Sequence, residues 1–442
     1  MDTSSLTGSG MPKQQNPAIE YAAQVESPIV NGEAKLIISD NALTISTLFV
    51  TADIAFAELV ELTLVGYNVC LKADSGDYTF SRMGNWRQPF YHTLCDAYNK
   101  AVLRSLFIEG NPIITAKGDF TGTDCISPTS PQPALTRYSI PIHVYGNNVT
   151  TLPPDLSARR VPLCFVDGMD KGRFELTLKL GPDELYTYAK LGYETTPFAQ
   201  AVEDRIRKLR EKTLSAARGI DMSLTSMQAS QLAGLMPQGA AAPIGQIAGI
   251  APSFVEALEK KIAATRTADS YAAFKEICDP SQIFIGFREI ECGKTSTENG
   301  VVPDGGNDPY GGNHYDSQPS PQSENANDDA DPYLIWMIAP SPNGRFAAVE
   351  FATADSATFV YRTGGDFATF ARQLNRALEA ISFRREVIRL TDSELRKPEN
   401  ADYYMAAKHT ASLQFTRSNF AGRIIHSSVK TWKSKLTELW NQ

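Results

Sequence analysis

The sequence predicts an α+β protein built from repeated antiparallel β-sheet or barrel modules, each closed by a C-terminal α-helix. Three observations predict it. A β-hairpin, a basic residue, a glycine and an amphipathic helix recur three times in the 442 residues. The hairpin strands alternate apolar and polar residues at period two, as half-buried strands do. Each following helix spaces its apolar residues by three and four, which gives one stripe to bury against a sheet. The first copy, YNVCLKADSGDYTFSRMGNWRQPFYHTLCDAYNKAV, begins at Tyr67. The second, FELTLKLGPDELYTYAKLGYETTPFAQAVEDRIRKL, begins at Phe174, and a looser third, AAVEFATADSATFVYRTGGDFATFARQLNRALEAI, begins at Ala347.

The opening stretch, rich in Ser, Gly, Gln and Pro, reads as a disordered tail over 1–27. Module 1 (28–110) contributes strand-like runs from Ala34, Leu43 and Glu58, then the hairpin with its turn at Asp74-Ser75-Gly76. Gly84 ends the hairpin because a positive φ there lets the chain swing into the helix. Module 2 (111–217) repeats this order through runs from Ser139 and Val161, with its turn at Gly181-Pro182-Asp183, and the allocation of a further strand from 110–125 to it is left open by the sequence. Without gaps, Tyr78, Phe80, Arg82, Met83, Gly84 and Phe90 fall onto Tyr186, Tyr188, Lys190, Leu191, Gly192 and Phe198. A one-residue shift upstream brings Leu71 onto Leu178.

An Ala-, Met- and Gly-rich helical insert follows over 218–280. Its Met222, Leu224, Met227, Leu232, Leu235 and Met236 form either a face packed on a neighbouring module or an adaptable docking surface. Module 3 (281–390) places FIGFREI and YLIWMIAP on either side of an acidic low-complexity loop, 295–332, with eight carboxylates and no Lys or Arg. Its hairpin turns at Asp355-Ser356, and Arg362, Gly364 and Phe370 keep the repeated order. The remainder, 391–442, is a basic–aromatic tail ending in VKTWKSKLTELW.

A string of short antiparallel strands closed by one C-terminal helix resembles the pleckstrin-homology-like (PH-like) superfamily, in the tandem form seen in bacterial proteins. The resemblance covers roughly 30–110, 138–215 and 281–385 and rests on element order. It implies adaptors that bind proteins or membrane surfaces and rarely perform chemistry. Members that bind phosphoinositides carry clustered Lys and Arg in the first hairpin, where this chain has Ser39-Asp40-Asn41. The helix tryptophan common in eukaryotic members is missing from all three helices.

A formal charge of −8 argues against a nucleic-acid partner, which calls for a basic face. With no secretory signal in view and no apolar run of membrane-spanning length, the reading expects a cytoplasmic protein, at most membrane-peripheral. The six cysteines (Cys70, Cys95, Cys125, Cys164, Cys278 and Cys292) lack the spacing of a zinc ribbon or redox pair. The five histidines are isolated from other ligand-type residues. No Walker loop, nucleophile elbow or HExxH helix occurs, so the expectation is no catalytic residue, no cofactor and no metal.

The repeated base (Arg82, Lys190 and Arg362) is the one polar feature multiplied with the fold. It either engages acidic groups on a partner or rests its stem on apolar surface with its charge in water. Trp86 and Arg87 form an aromatic–basic pair typical of interface anchors, in the first copy alone. In the last segment Lys430, Lys433 and Lys435 surround a face bearing Trp432 and Trp440. That helix docks on the third module, recognises a protein, or lies on an anionic membrane. The function expected is a non-enzymatic intracellular adaptor or scaffold for protein partners. Peripheral membrane association, and a structural subunit of a larger assembly, are the alternatives.

Overall fold

The computed structural model describes residues 19–108, 110–123, 135–181, 184–290, 332–352 and 357–441. The acidic loop up to 331, the turn at Asp355-Ser356, the Pro182-Asp183 pair, Cys125 and Cys292 lie outside the described residues. The protein is α+β, and its described residues form three antiparallel sheets of seven, seven and six strands. It divides into two compact units, Met1–Ser105 with Leu152–Ala158, and Leu106–Thr151 with Arg159–Gln442.

The first unit holds β1 (Ile19–Glu26), β2 (Gly32–Ile38), β3 (Ala42–Ser46), β4 (Thr51–Ala55), β5 (Leu59–Val65), β6 (Asn68–Ala73) and β7 (Gly76–Ser81), then helix α1 (Arg87–Ser105). Its sheet runs β4-β3-β2-β1-β7-β6-β5. Residues 19–26 are therefore not tail: Tyr21, Ala23 and Val25 alternate inward, and Val25 pairs with Phe80 across the β1–β7 seam. Phe90 on α1 closes the core edge-on against Phe80, ring centroids 5.5 Å apart. The Leu152–Ala158 strap is tied to the same helix, Tyr91 and Asn99 donating to the carbonyls of Pro154 and Pro153 at 2.8 and 3.0 Å.

The second unit opens with β8 (Ile114–Gly122), the strand from 110–125, followed by β9 (Leu135–Val144), β10 (Asn148–Thr151), β11 (Arg159–Pro162), β12 (Gly168–Lys171), β13 (Glu175–Lys179), β14 (Leu185–Ala189) and α2 (Thr195–Ile220). The order β11-β10-β9-β8-β14-β13-β12 repeats that of the first sheet position for position. The sequence alignment is carried into the register: Leu71 pairs with Tyr78, and Leu178 with Tyr186. Each hairpin leaves through the same backbone turn. Arg82 and Lys190 have φ of 58° and 56°, Met83 and Leu191 are right-handed helical, and Gly84 and Gly192 return to 54° and 60°. Left-handed φ at a non-glycine is uncommon, so its recurrence at both bases marks one inherited corner.

The insert forms α3 (Ser226–Leu235), α4 (Ile244–Ile250), α5 (Pro252–Ala263) and α6 (Ala268–Ile277). The third sheet runs in simple order β15 (Ala242–Pro243), β16 (Phe284–Glu289), β17 (Tyr333–Pro340), β18 (Phe346–Phe351), β19 (Ala357–Arg362), β20 (Phe420–Ile425). Helix α7 (Phe367–Ala380) follows β19, and α8 (Glu386–Arg389), α9 (Asp392–Leu395), α10 (Ala401–His409), α11 (Ala411–Ser418) and α12 (Val429–Trp440) complete the chain. The repeated strand–helix contact survives here too, since Tyr361 packs on Phe370 at 5.3 Å as Tyr188 packs on Phe198 at 5.5 Å. The rest of the third copy departs from the other two. Its strands β17, β18 and β19 are buried almost throughout instead of alternating, because helices cover the sheet and a doubly covered strand is apolar on both sides.

One of those covers is the insert together with the tail. Leu232, Met236, Ile247, Phe254, Leu258 and Phe274 share a core with Ile285, Ile335, Met337, Trp432, Leu436 and Trp440. Of the insert's methionines, Met222 and Met227 stay exposed.

Candidate functional site

In the first unit the repeated base Arg82 is exposed, with no ion-pair partner among the described residues. Trp86 is 65% exposed on the turn Gly84–Trp86, its ring edge-on to Tyr21 at 6.3 Å. The neighbouring Arg87 does not project freely: its guanidinium donates to the carbonyl of Gly66 in the β5–β6 turn. That bond ties two turns together, and the next residue of the second turn, Tyr67, is 90% exposed. The result is an aromatic surface held by a hydrogen bond and by ring packing. Sequence reasoning found Trp86 and Arg87 but missed Tyr67. A second exposed turn joins β3 to β4, where Leu48 and Phe49 are 93% and 92% exposed. The Thr47 hydroxyl accepts from the amides of Phe49 and Val50 and donates to the Val50 carbonyl, so this apolar tip carries few unmet backbone donors.

The second copy uses its base differently. The Lys190 ammonium lies 2.7 Å from the Asp119 carboxylate and 5.9 Å from the Tyr138 ring centroid. Bonds from Lys190 and from the Ser139 amide hold the Asp119 carboxyl below its usual range, and the pairing lifts Lys190. The third base, Arg362, is exposed at the end of β19. Arg82 and Lys190 thus share one backbone corner that Arg362 lacks, the left-handed φ of the third copy falling on Gly364 and Gly365.

The tail residues fall into two groups. Lys430 and Lys435 are exposed, and Lys433 bridges Glu276 at 2.7 Å. Trp432 and Trp440 are each only 2% exposed, so neither ring offers a surface to a partner. As contact residues for a partner both tryptophans are corrected by what they pack against, which is the arrangement expected of a helix docked on the third module. Trp432 meets Phe274 at 5.3 Å, and its indole donates to Thr358 at 2.7 Å. Thr358 in turn donates to Glu350, which lies fully buried 2.6 Å from His426.

Sequence reasoning also missed the polar face of α7. Arg160 donates through both terminal nitrogens to Glu379 at 2.6 and 2.7 Å. In the opposite sense, Arg376 donates to Glu184 and to the Leu180 carbonyl, and Asn375 exchanges two 2.9 Å bonds with the backbone of Ala241. Despite Arg376, burial pushes the Glu184 carboxyl above its ordinary value. Two cavities meet at Arg376. One, about 230 Å³, is lined by Asp167, Arg210 and Arg372; the other, about 80 Å³, by Arg159, Arg160, Gln373 and Glu379.

Among the described residues no group of three or more His, Cys, Asp or Glu side chains is placed to hold a metal ion. No helix among them is long and apolar enough to cross a membrane. The sequence matches no protein-family profile and no curated protein.

Proposed function

We propose that the protein is a non-enzymatic adaptor that binds protein partners through PH-like modules, with the principal contact on the first. The module reading is supported by two sheets of identical strand order, 4-3-2-1-7-6-5, each followed by one helix. The observation that carries the binding role is the Trp86–Tyr67 surface, two large exposed rings on turns joined through Arg87 and Gly66. Turns tied together before binding lose little backbone freedom when a partner covers them, and aromatic and arginine side chains dominate interface energies.

The test is crosslinked affinity purification of the full chain beside a Trp86→Ala/Tyr67→Ala variant. A stoichiometric protein recovered by the first and lost by the second, with the circular dichroism spectrum unchanged, is the expected result. Equal recovery by both sinks the assignment. Membrane association is the second reading and draws on the Leu48–Phe49 tip, whose internally bonded backbone suits an apolar medium. Flotation with phosphatidylserine vesicles, lost in Leu48→Ser/Phe49→Ser, favours that reading over the first.

A further inference from the structure

The smaller cavity beside α7 has an unusual lining. Three guanidinium groups (Arg159, Arg160 and Arg376) face it with two carboxylates, Glu184 and Glu379. Both carboxylates are already engaged, Glu379 by the terminal nitrogens of Arg160 and Glu184 by Arg376. What is left over is donor capacity. Nε of Arg160, Nε of Arg376 and Nε2 of Gln373 are buried without an acceptor in the protein. Their side chains are deeply enclosed, with 6% of Arg160, 10% of Arg376 and 2% of Gln373 exposed. A buried donor left unmet is destabilising, the more so when charged, so three at one cavity call for an acceptor. Arg372, close enough to act on Glu184, adds further positive charge.

Water meets one or two such donors but brings no charge. An oxyanion supplies several acceptor oxygens at once, and guanidinium forks suit that geometry. We propose that this cavity is a binding site for a small oxyanion of the phosphate class, held by Arg160 Nε, Arg376 Nε and Gln373 Nε2. At about 80 Å³ the space suits the ion or one phosphoryl group. Bound there, the anion completes the polar junction between β11, Leu180, Glu184 and α7. Its occupancy then sets how tightly the second and third sheets are held.

The test uses the full chain in phosphate-free buffer, with sodium phosphate exchanged for sodium chloride at constant ionic strength. The thermal midpoint should climb with phosphate and follow the linkage form for one site. Gln373→Leu removes one donor at nearly constant volume and should weaken the apparent phosphate affinity about tenfold. Gln373→Met, which removes the same donor with a flexible side chain, gives a second variant in case the first does not fold, and Lys435→Gln on the exposed side of α12 should respond as the parent. Glycerol phosphate run in parallel separates the sources: a response to both probes assigns a phosphoryl group carried on an organic molecule, and a response to inorganic phosphate alone assigns the free ion. Identical midpoints in phosphate and chloride overturn the proposal and leave the donors to water. So does a folded Gln373→Leu or Gln373→Met variant with the parent's phosphate response.

Discussion

At the scale of single residues, the reciprocal pairs on α7 are where the structure commits most free energy to a choice. Arg376 and Glu184 are each only 10% exposed, and removing one member of such a pair strands the other charge. Arg376→Met should therefore cost about 3–5 kcal/mol in urea denaturation at neutral pH. Adding Glu184→Leu should recover most of that loss, because no buried charge is then left over. The deficit also depends on pH in a defined direction. Glu184 is already lifted by burial, and losing Arg376 lifts it further. The folded state then binds the carboxyl proton more tightly than the unfolded state. That contribution is complete below the ordinary carboxylate value and is lost as pH rises through the raised one. The single variant should accordingly lie closer to the parent at pH 5 than at pH 8. A deficit independent of pH would mean that Glu184 is solvated in the variant.

At the scale of elements, periodicity made the hairpins and helices legible but not what their faces meet. The Val429, Trp432, Leu436 and Trp440 stripe reads correctly as one side of a helix, yet a stripe has the same spacing whether it meets a partner, a bilayer or the chain's own core. Here β20 pairs with β19, and Trp432, Leu436 and Trp440 close over the insert while Val429 stays exposed. The tail thus completes a sheet and a core, and cannot be cut away as an independent arm. Trp432→Ala should cost about 3–5 kcal/mol, whereas Trp432→Phe keeps most of the packing, loses the bond to Thr358, and should cost about 1 kcal/mol. Denaturation midpoints of the two variants check this, and an Ala variant as stable as the parent would place α12 outside the core. The polar face of α7 was illegible for a different reason. Arg376 and Glu379 look like an ordinary solvated face, and their partners lie 192 and 219 residues away in a segment read as a separate module. Trp86 was legible as an anchor, while Tyr67 was passed over although the β6–β7 register, with Val69 on Phe80, sets its turn beside the exit of β7, where the Arg87–Gly66 bond then ties it.

At the scale of the whole molecule, three repeats do not make three cooperative units. Folding cooperativity follows shared burial, and a strand–helix copy whose helix is buried on both faces cannot unfold alone. Among the residues of α7, Phe370 packs on the third sheet's Tyr361, while Arg376 and Glu379 pair with residues of the second sheet's segment. Opening either sheet therefore strands buried charge on the other, which couples their unfolding. The first sheet closes its core with its own helix, through Phe80 and Phe90. Calorimetry of the full chain should show two transitions where the repeat count suggests three. Phe198→Ala in the second sheet's core and Phe274→Ala under the third should both lower the same transition, while Phe80→Ala lowers the other, each by the equivalent of about 3–5 kcal/mol. If Phe198→Ala and Phe274→Ala instead moved separate transitions, the α7 ion pairs would be too weak to join the two sheets. The modules would then be cooperative units in the way the sequence repeat alone suggests.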